Sequence, residues 1–199
     1  MAFSLFPSQS LTKNKIKCSY QNPASLDLLS NLLSKLIFKL DPCTNKELVV
    51  LGIGTDRSTG DSLGPLVGWF LQQQKAFFSI YGTLDEPVHA ANLSDKLKEI
   101  ERNHHNPLII AVDACLGRPE NVGIVTLSEG ELNPGAGVHK KLPAVGNISF
   151  TGIVNVSGYM EFIVLQNTRL NIVMRMASLI SNSIISGVKK VQRIRTLTN

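Results

Sequence analysis

Two short apolar runs constrain this chain more than anything else in it: ELVVLGIG at residues 47–54 and PLIIAVDA at residues 107–114. Both are β-branched and continuous rather than alternating, the pattern of strands buried on both faces of a parallel sheet. Between them, residues 61–74 space Leu63, Leu66, Val67, Phe70 and Leu71 for a helix, with Pro65 tolerable only in its first turn. Residues 76–81 read as a second strand and residues 91–103 as a charged amphipathic helix. Strand, helix, strand, helix, strand requires right-handed crossovers, which gives an α/β fold with a mostly parallel sheet. Upstream, Leu26, Leu29, Leu33, Leu36 and Ile37 mark a helix ending near Asp41 and Pro42. Downstream, residues 122–128 alternate as a fourth strand and residues 147–156 read as a fifth. Between those lies a loop, residues 130–146, of a length that is more often functional than accidental. The tail, residues 159–190, is helical, with an interruption near Asn167 where Thr168 is placed to cap a fresh start.

At 199 residues the chain suits one domain, spanning residues 23–190 between a leader (1–22) and a basic tail (191–199). Hydrophobic residues at 43% against 18% charged exclude a disordered chain. The most apolar segment, in the tail, is broken by Glu161, Arg169 and Arg175, so no membrane span is expected. The excess of Lys and Arg, 20 against 15 acids, gathers at the two ends, as Lys13, Lys15, Lys17 and Lys189, Lys190, Arg193, Arg195. No aromatics interleave with them, and solvated ends rather than nucleic-acid binding are expected. The apolar residues among the first ten precede the positive charge and are broken by Pro7, unlike a secretory signal. Three cysteines, Cys18, Cys43 and Cys115, lack any CxxC spacing and fit a reduced, cytoplasmic setting. The apolar tail helix raises the expectation of an oligomer.

The densest chemical signal is GIGTDRSTGDSLGP, residues 52–65, where a buried strand hands over to a helix. Open α/β sheets bind ligands at the carboxyl ends of their strands. Arg57 stands where a dinucleotide fingerprint needs its third glycine, and no GK[ST] follows, so phosphate cradling is disfavoured. The loop offers Asp56 and Asp61 instead. Asp61 alone would read as a helix-start carboxylate, but Asp113 leaves the third strand at the same sheet edge. Neighbouring parallel strands lie ~5 Å apart, so two acids distant in sequence can face across one crevice. Such a pair splits its pKa values into an acid and a base, or holds a divalent metal that activates water. Arg57 is expected to orient or neutralise one acid. His89, with Asp85 and Glu86 in the loop after the second strand, and His139, in the glycine loop after the fourth, are placed at that same edge. His104 and His105 fall at the opposite one. Cys115 is read as a buried thiol rather than a nucleophile.

GIGTDRSTGDSLGP, GTLDEPVHA, VDACLGR, PGAGVHKKLPAVG and TGIVNVSGYMEFIVLQNTR together resemble the YyaC-like family of sporulation proteins, relatives of the germination protease that degrades small acid-soluble spore proteins. More distantly the arrangement resembles hydrogenase-maturation endopeptidases. The resemblance implies a three-layer α/β/α sandwich and a peptidase of the cytoplasm of a spore-forming bacterium, forespore or mother cell. It implies an aspartic-type pair at Asp61 and Asp113. By the hydrogenase-maturation analogy it also implies a metal on Asp61, Asp113 and His139, with no cofactor beyond such an ion. Asp56, Arg57, His89, Gly135, Gly137 and His139 are the expected binding residues, for a protein or peptide substrate such as a spore protein. Two other readings of the same cleft are a peptide-binding protein without catalysis and a magnesium-dependent hydrolase of small molecules or nucleotides.

Overall fold

The computed structural model describes residues 14–135 and 142–198. The elements are β1 (Lys15–Ser19), α1 (Ser25–Leu40), β2 (Leu48–Gly52), α2 (Leu63–Gln73) after a 3-10 turn at Gly60–Ser62, β3 (Ser79–Tyr81), α3 (Leu93–Asn103), β4 (Leu108–Gly117), β5 (Ile124–Glu129), β6 (Ile148–Val156), α4 (Glu161–Gln166) and α5 (Leu170–Thr198). One sheet takes the order β1-β5-β6-β4-β2-β3. Its β6, β4, β2 and β3 are parallel, whereas β5 runs antiparallel to both its neighbours.

The apolar runs behave as continuous hydrophobicity requires. In β2, Val50 points to one layer while Val49 and Leu51 point to the other, and all three are fully buried. In β4, Leu108, Ile110 and Val112 join Val50's layer, and Ala111 the opposite one. The first layer is α1, α2 and α5, whose Leu29, Leu33, Leu63, Val67, Leu71, Met176 and Ile180 pack with Phe150 and Leu127 of the sheet. The second layer is smaller: Leu93 and Ile100 of α3, with Leu132 and Val145 of the loop after β5, cover β2 and part of β4. This is the expected three-layer sandwich.

Three features differ from the sequence reading. First, the leader contains a strand: in β1, Ile16 and Cys18 enter the core while Lys15 and Lys17 are exposed. Five alternating residues at a sheet edge give too short a run to stand out from a basic segment. Second, α5 continues without a break through the expected basic tail. Its Arg195 pairs with Asp41 at 3.2 Å, and Lys190 donates to Ser30 Oγ at 2.8 Å and Asn31 Oδ1 at 2.7 Å, so these cations fasten α5 to α1 and its end. The apolar stripe behind the expectation of a second subunit is satisfied within the chain, through Val173, Met176, Ala177, Ile180, Ile184, Val188 and Val191. Third, the break between α4 and α5 falls where expected, but Thr168 Oγ1 donates back to the Val164 carbonyl at 2.9 Å, closing α4 instead of capping α5. Among the described residues no helix is long and apolar enough to cross a membrane.

Candidate active site

Glycine is what lets the first acid loop close. A Cβ on Gly54, which adopts a φ of +136°, would lie 1.9 Å from the Asp61 carbonyl, and one on Gly64 would lie 2.2 Å from the Ile53 carbonyl. Without those side chains the start of α2 presses against the end of β2, and the Thr55 amide closes the loop by donating to the Asp61 carbonyl at 3.1 Å. Gly54 and Gly64 thus serve strand-to-helix packing. Asp61, carried on the 3-10 turn, is held where β2 stops.

Asp113 arrives from β4. The register pairs Gly52 with Val112, so β4 runs on past the end of β2 beginning with the residue that carries the acid, and on its other side Asp113 pairs with Thr151 of β6. Its side chain shares a sheet face with Ala111 and Cys115, away from the α1, α2 and α5 layer. Only 8% exposed, Asp113 accepts from the Ala114 amide at 2.9 Å.

Both acids open onto one cleft of about 1200 Å³. Burial pushes the Asp61 carboxyl up to about 6, against a hydrogen bond from the Thr55 amide that favours the carboxylate. Asp113 is raised well above the usual carboxylate range, first by burial and then by the negative charge of Asp61, while the Ala114 and Gly135 amides pull the other way. Burial thus favours a proton on both acids, and more strongly on Asp113, the more deeply buried. Cys115, two residues on, is pushed up to about 11 by burial and by Asp113, with Lys17 opposing. Its thiol is therefore protonated at neutral pH and a poor nucleophile.

The other expected residues are distributed unevenly. Asp56, Arg57, Asp85, His89 and Gly135 all line the cleft. Arg57 is exposed and forms no ion pair among the described residues, so it does not neutralise either acid. His89 Nδ1 accepts from the Ala91 amide at 3.3 Å, which leaves Nε2 as its free ring nitrogen. Glu86 is exposed and does not line the cleft. Gly137 and His139 lie outside the described residues. The loop that carries them departs from the wrong edge of the sheet, because β5 is antiparallel. It returns across the sheet through the Leu132 and Val145 bridge and delivers the Gly135 amide to Asp113. His104 is at the opposite edge, bonded to Glu47 Oε2 at 2.7 Å and to the Tyr81 hydroxyl at 3.0 Å.

A zinc-type site needs a third protein donor beside the two carboxylates, and the expected one, His139, lies outside the described residues. Among the described residues no group of three His, Cys, Asp or Glu side chains could hold an ion.

The sequence reading missed the β1, β5, β6 and α4 side of the cleft. Lys15 and Lys17 of β1, Thr126 and Ser128 of β5, and Ser149 and Thr151 of β6 form a polar floor, and Glu161 and Phe162 of α4 form a wall. The alternation in Lys-Ile-Lys-Cys-Ser was the available signal for β1.

Set beside known structures, this architecture resembles the fold of a hydrogenase-maturation protease. The [NiFe] hydrogenase maturation protease HycI of Thermococcus kodakarensis KOD1 superposes with a TM-score of 0.50 at 14% identity, covering 80% of this chain and 99% of HycI. At that identity the likeness speaks for the fold alone. By sequence the chain belongs to the family described as "Protein of unknown function (DUF1256)", which matches residues 17–183. It is 51% identical to "Uncharacterized protein YyaC" of Bacillus subtilis (strain 168) over 181 residues, or 90% of this chain and 86% of that protein.

Proposed function

We propose that this protein is a sporulation-associated peptidase that hydrolyses a peptide bond with water activated by Asp61 and Asp113. The observation that carries the reading is the burial of two interacting carboxyl groups in one cleft, with both held above their ordinary range. With an affinity for its proton near pH 6, Asp61 is a carboxylate at neutral pH and still basic enough to accept a proton from water. Asp113 keeps its proton and donates it, first as a hydrogen bond to the scissile carbonyl, then to the departing amine. The proton that Asp61 took from water restores the pair, so the cycle ends as it began. The Gly135 amide holds the Asp113 carboxyl in place. The resemblance to sporulation proteins and the hydrogenase-maturation protease fold support the class of reaction.

The test is digestion of a proteome-derived peptide library read by mass spectrometry. Wild-type protein is expected to yield cuts at a recurring sequence. Asp113→Asn is expected to slow them by about 10²–10⁴-fold, the usual worth of a positioned acid or base. Full activity in that variant would overturn the mechanism, and peptide binding without cutting by wild-type protein would leave a binding protein on this fold. Rate against pH should rise through about 6, as Asp61 ionises, and fall again at higher pH as Asp113 loses its proton.

A further inference from the structure

The polar floor of the cleft has a charge pattern that catalysis does not use. Lys15 and Lys17 alternate with the buried Ile16 and Cys18, so both project from the face of β1 that carries the cleft. Both are exposed, and neither has an ion-pair partner among the described residues. Between them and the acids lie hydroxyls: Thr126 and Ser128 from β5, then Ser149 and Thr151 from β6, with Ser128 and Ser149 in contact at 3.0 Å. The register sets Lys17 opposite Thr126, Thr126 opposite Thr151 and Thr151 opposite Asp113, one row across the sheet. The remaining acids of the cleft, Asp56, Asp85, Glu131 and Glu161, lie on its loops and on α4. The cleft's described lysines thus sit together at the β1 end, apart from Arg57 on the loop after β2.

We propose that Lys15 and Lys17 form a specificity subsite for an acidic side chain of an extended peptide laid across the floor from β1 to Asp113. The subsite rests on reading the cleft as a peptide site. Strand order sets its distance. From β1 across β5 and β6 to β4 is three strand spacings, ~14 Å, and lysine stems shorten that by several ångströms. An extended chain advances ~3.3 Å per residue, which puts the recognised Asp or Glu about three or four residues from the bond that faces the acids. The floor's hydroxyls can donate to or accept from the intervening main chain.

A plainer role for such lysines is to keep an edge strand from pairing with another chain. The two roles separate on charge reversal, because glutamate guards an edge as lysine does but repels an acidic peptide. The experiment uses fluorescence anisotropy with the Asp113→Asn protein, so that binding is read without cleavage. Two fluorescein-labelled peptide pools are compared, identical except that one carries Glu where the other carries Gln. The Glu pool is expected to bind about tenfold more tightly, with the difference shrinking in ~0.5 M NaCl. Adding Lys15→Glu and Lys17→Glu should abolish or invert the preference without lowering the melting temperature, and Lys15→Arg with Lys17→Arg should keep it. Equal binding of the pools, a preference that survives charge reversal, or equally tight binding of a single-stranded oligonucleotide would overturn the subsite. A Glu preference in a protein that cuts no peptide would uphold the subsite and refute the peptidase.

Discussion

The two faces of the sheet are built to opposite specifications. One is sealed by α1, α2 and α5 over a continuous apolar core in which Phe150, Leu127, Leu63 and Met176 have no exposed surface. The other is sealed only over β2 and part of β4, and across β6, β5 and β1 it offers hydroxyls and lysines. The same strands serve both, since in β6 Phe150 faces the core while Ser149 and Thr151 face the cleft. The difference teaches where stability and chemistry reside: the sealed face secures the fold, which leaves the open face able to hold polar groups that weaken it.

The largest effect should come from the sealed face. Phe150→Ala, which empties the centre of the core, is expected to cost about 3–5 kcal/mol in a denaturant melt. A smaller loss would mean that the layer repacks more easily than its burial implies. Next comes a gain of stability on the open face. Because folding raises the Asp61 pKa to about 6, the folded state favours its proton, and stability falls as pH climbs from the unfolded value through that point. Asp61→Asn should therefore stabilise the protein at pH 7.5 by about 3 kcal/mol, two pKa units' worth, and by only about 0.5 kcal/mol at pH 4. Equal denaturation midpoints at pH 7.5 would contradict the assigned burial. The smallest effect is expected at Thr126→Val, a buried position on the cleft floor, which should shift stability by about 1 kcal/mol or less. A cost several times larger would show that the floor is part of the fold's support.

What the sequence disclosed follows the same division. The apolar runs around Val50 and Ile110 announce buried parallel strands, since continuous hydrophobicity has few other uses at that length. Asp61 and Asp113 are legible because each closes or follows such a run at a predictable edge. The helices α2 and α5 show in their spacing. Strand direction does not show: residues 122–128 alternate equally well either way up, so the reversal of β5 and the return path of its loop are out of reach. Lys15 and Lys17 read as a charged end because side-chain type alone does not reveal that Ile16 and Cys18 enter the core. Arg57 looks like a partner for the acids by proximity in sequence, yet the loop turns it outward.

The reversal of β5 has a consequence for how the molecule can change. The described part of its loop lies over a finished sheet, tied at Leu132 and Val145, and brings the backbone of Gly135 to Asp113. Residues inserted or exchanged beyond that tie would alter what the crevice admits while every strand kept its neighbours. Relatives could in this way diverge in diet while sharing a skeleton, and grafting the overlay of one onto another is the direct route to moving selectivity between them.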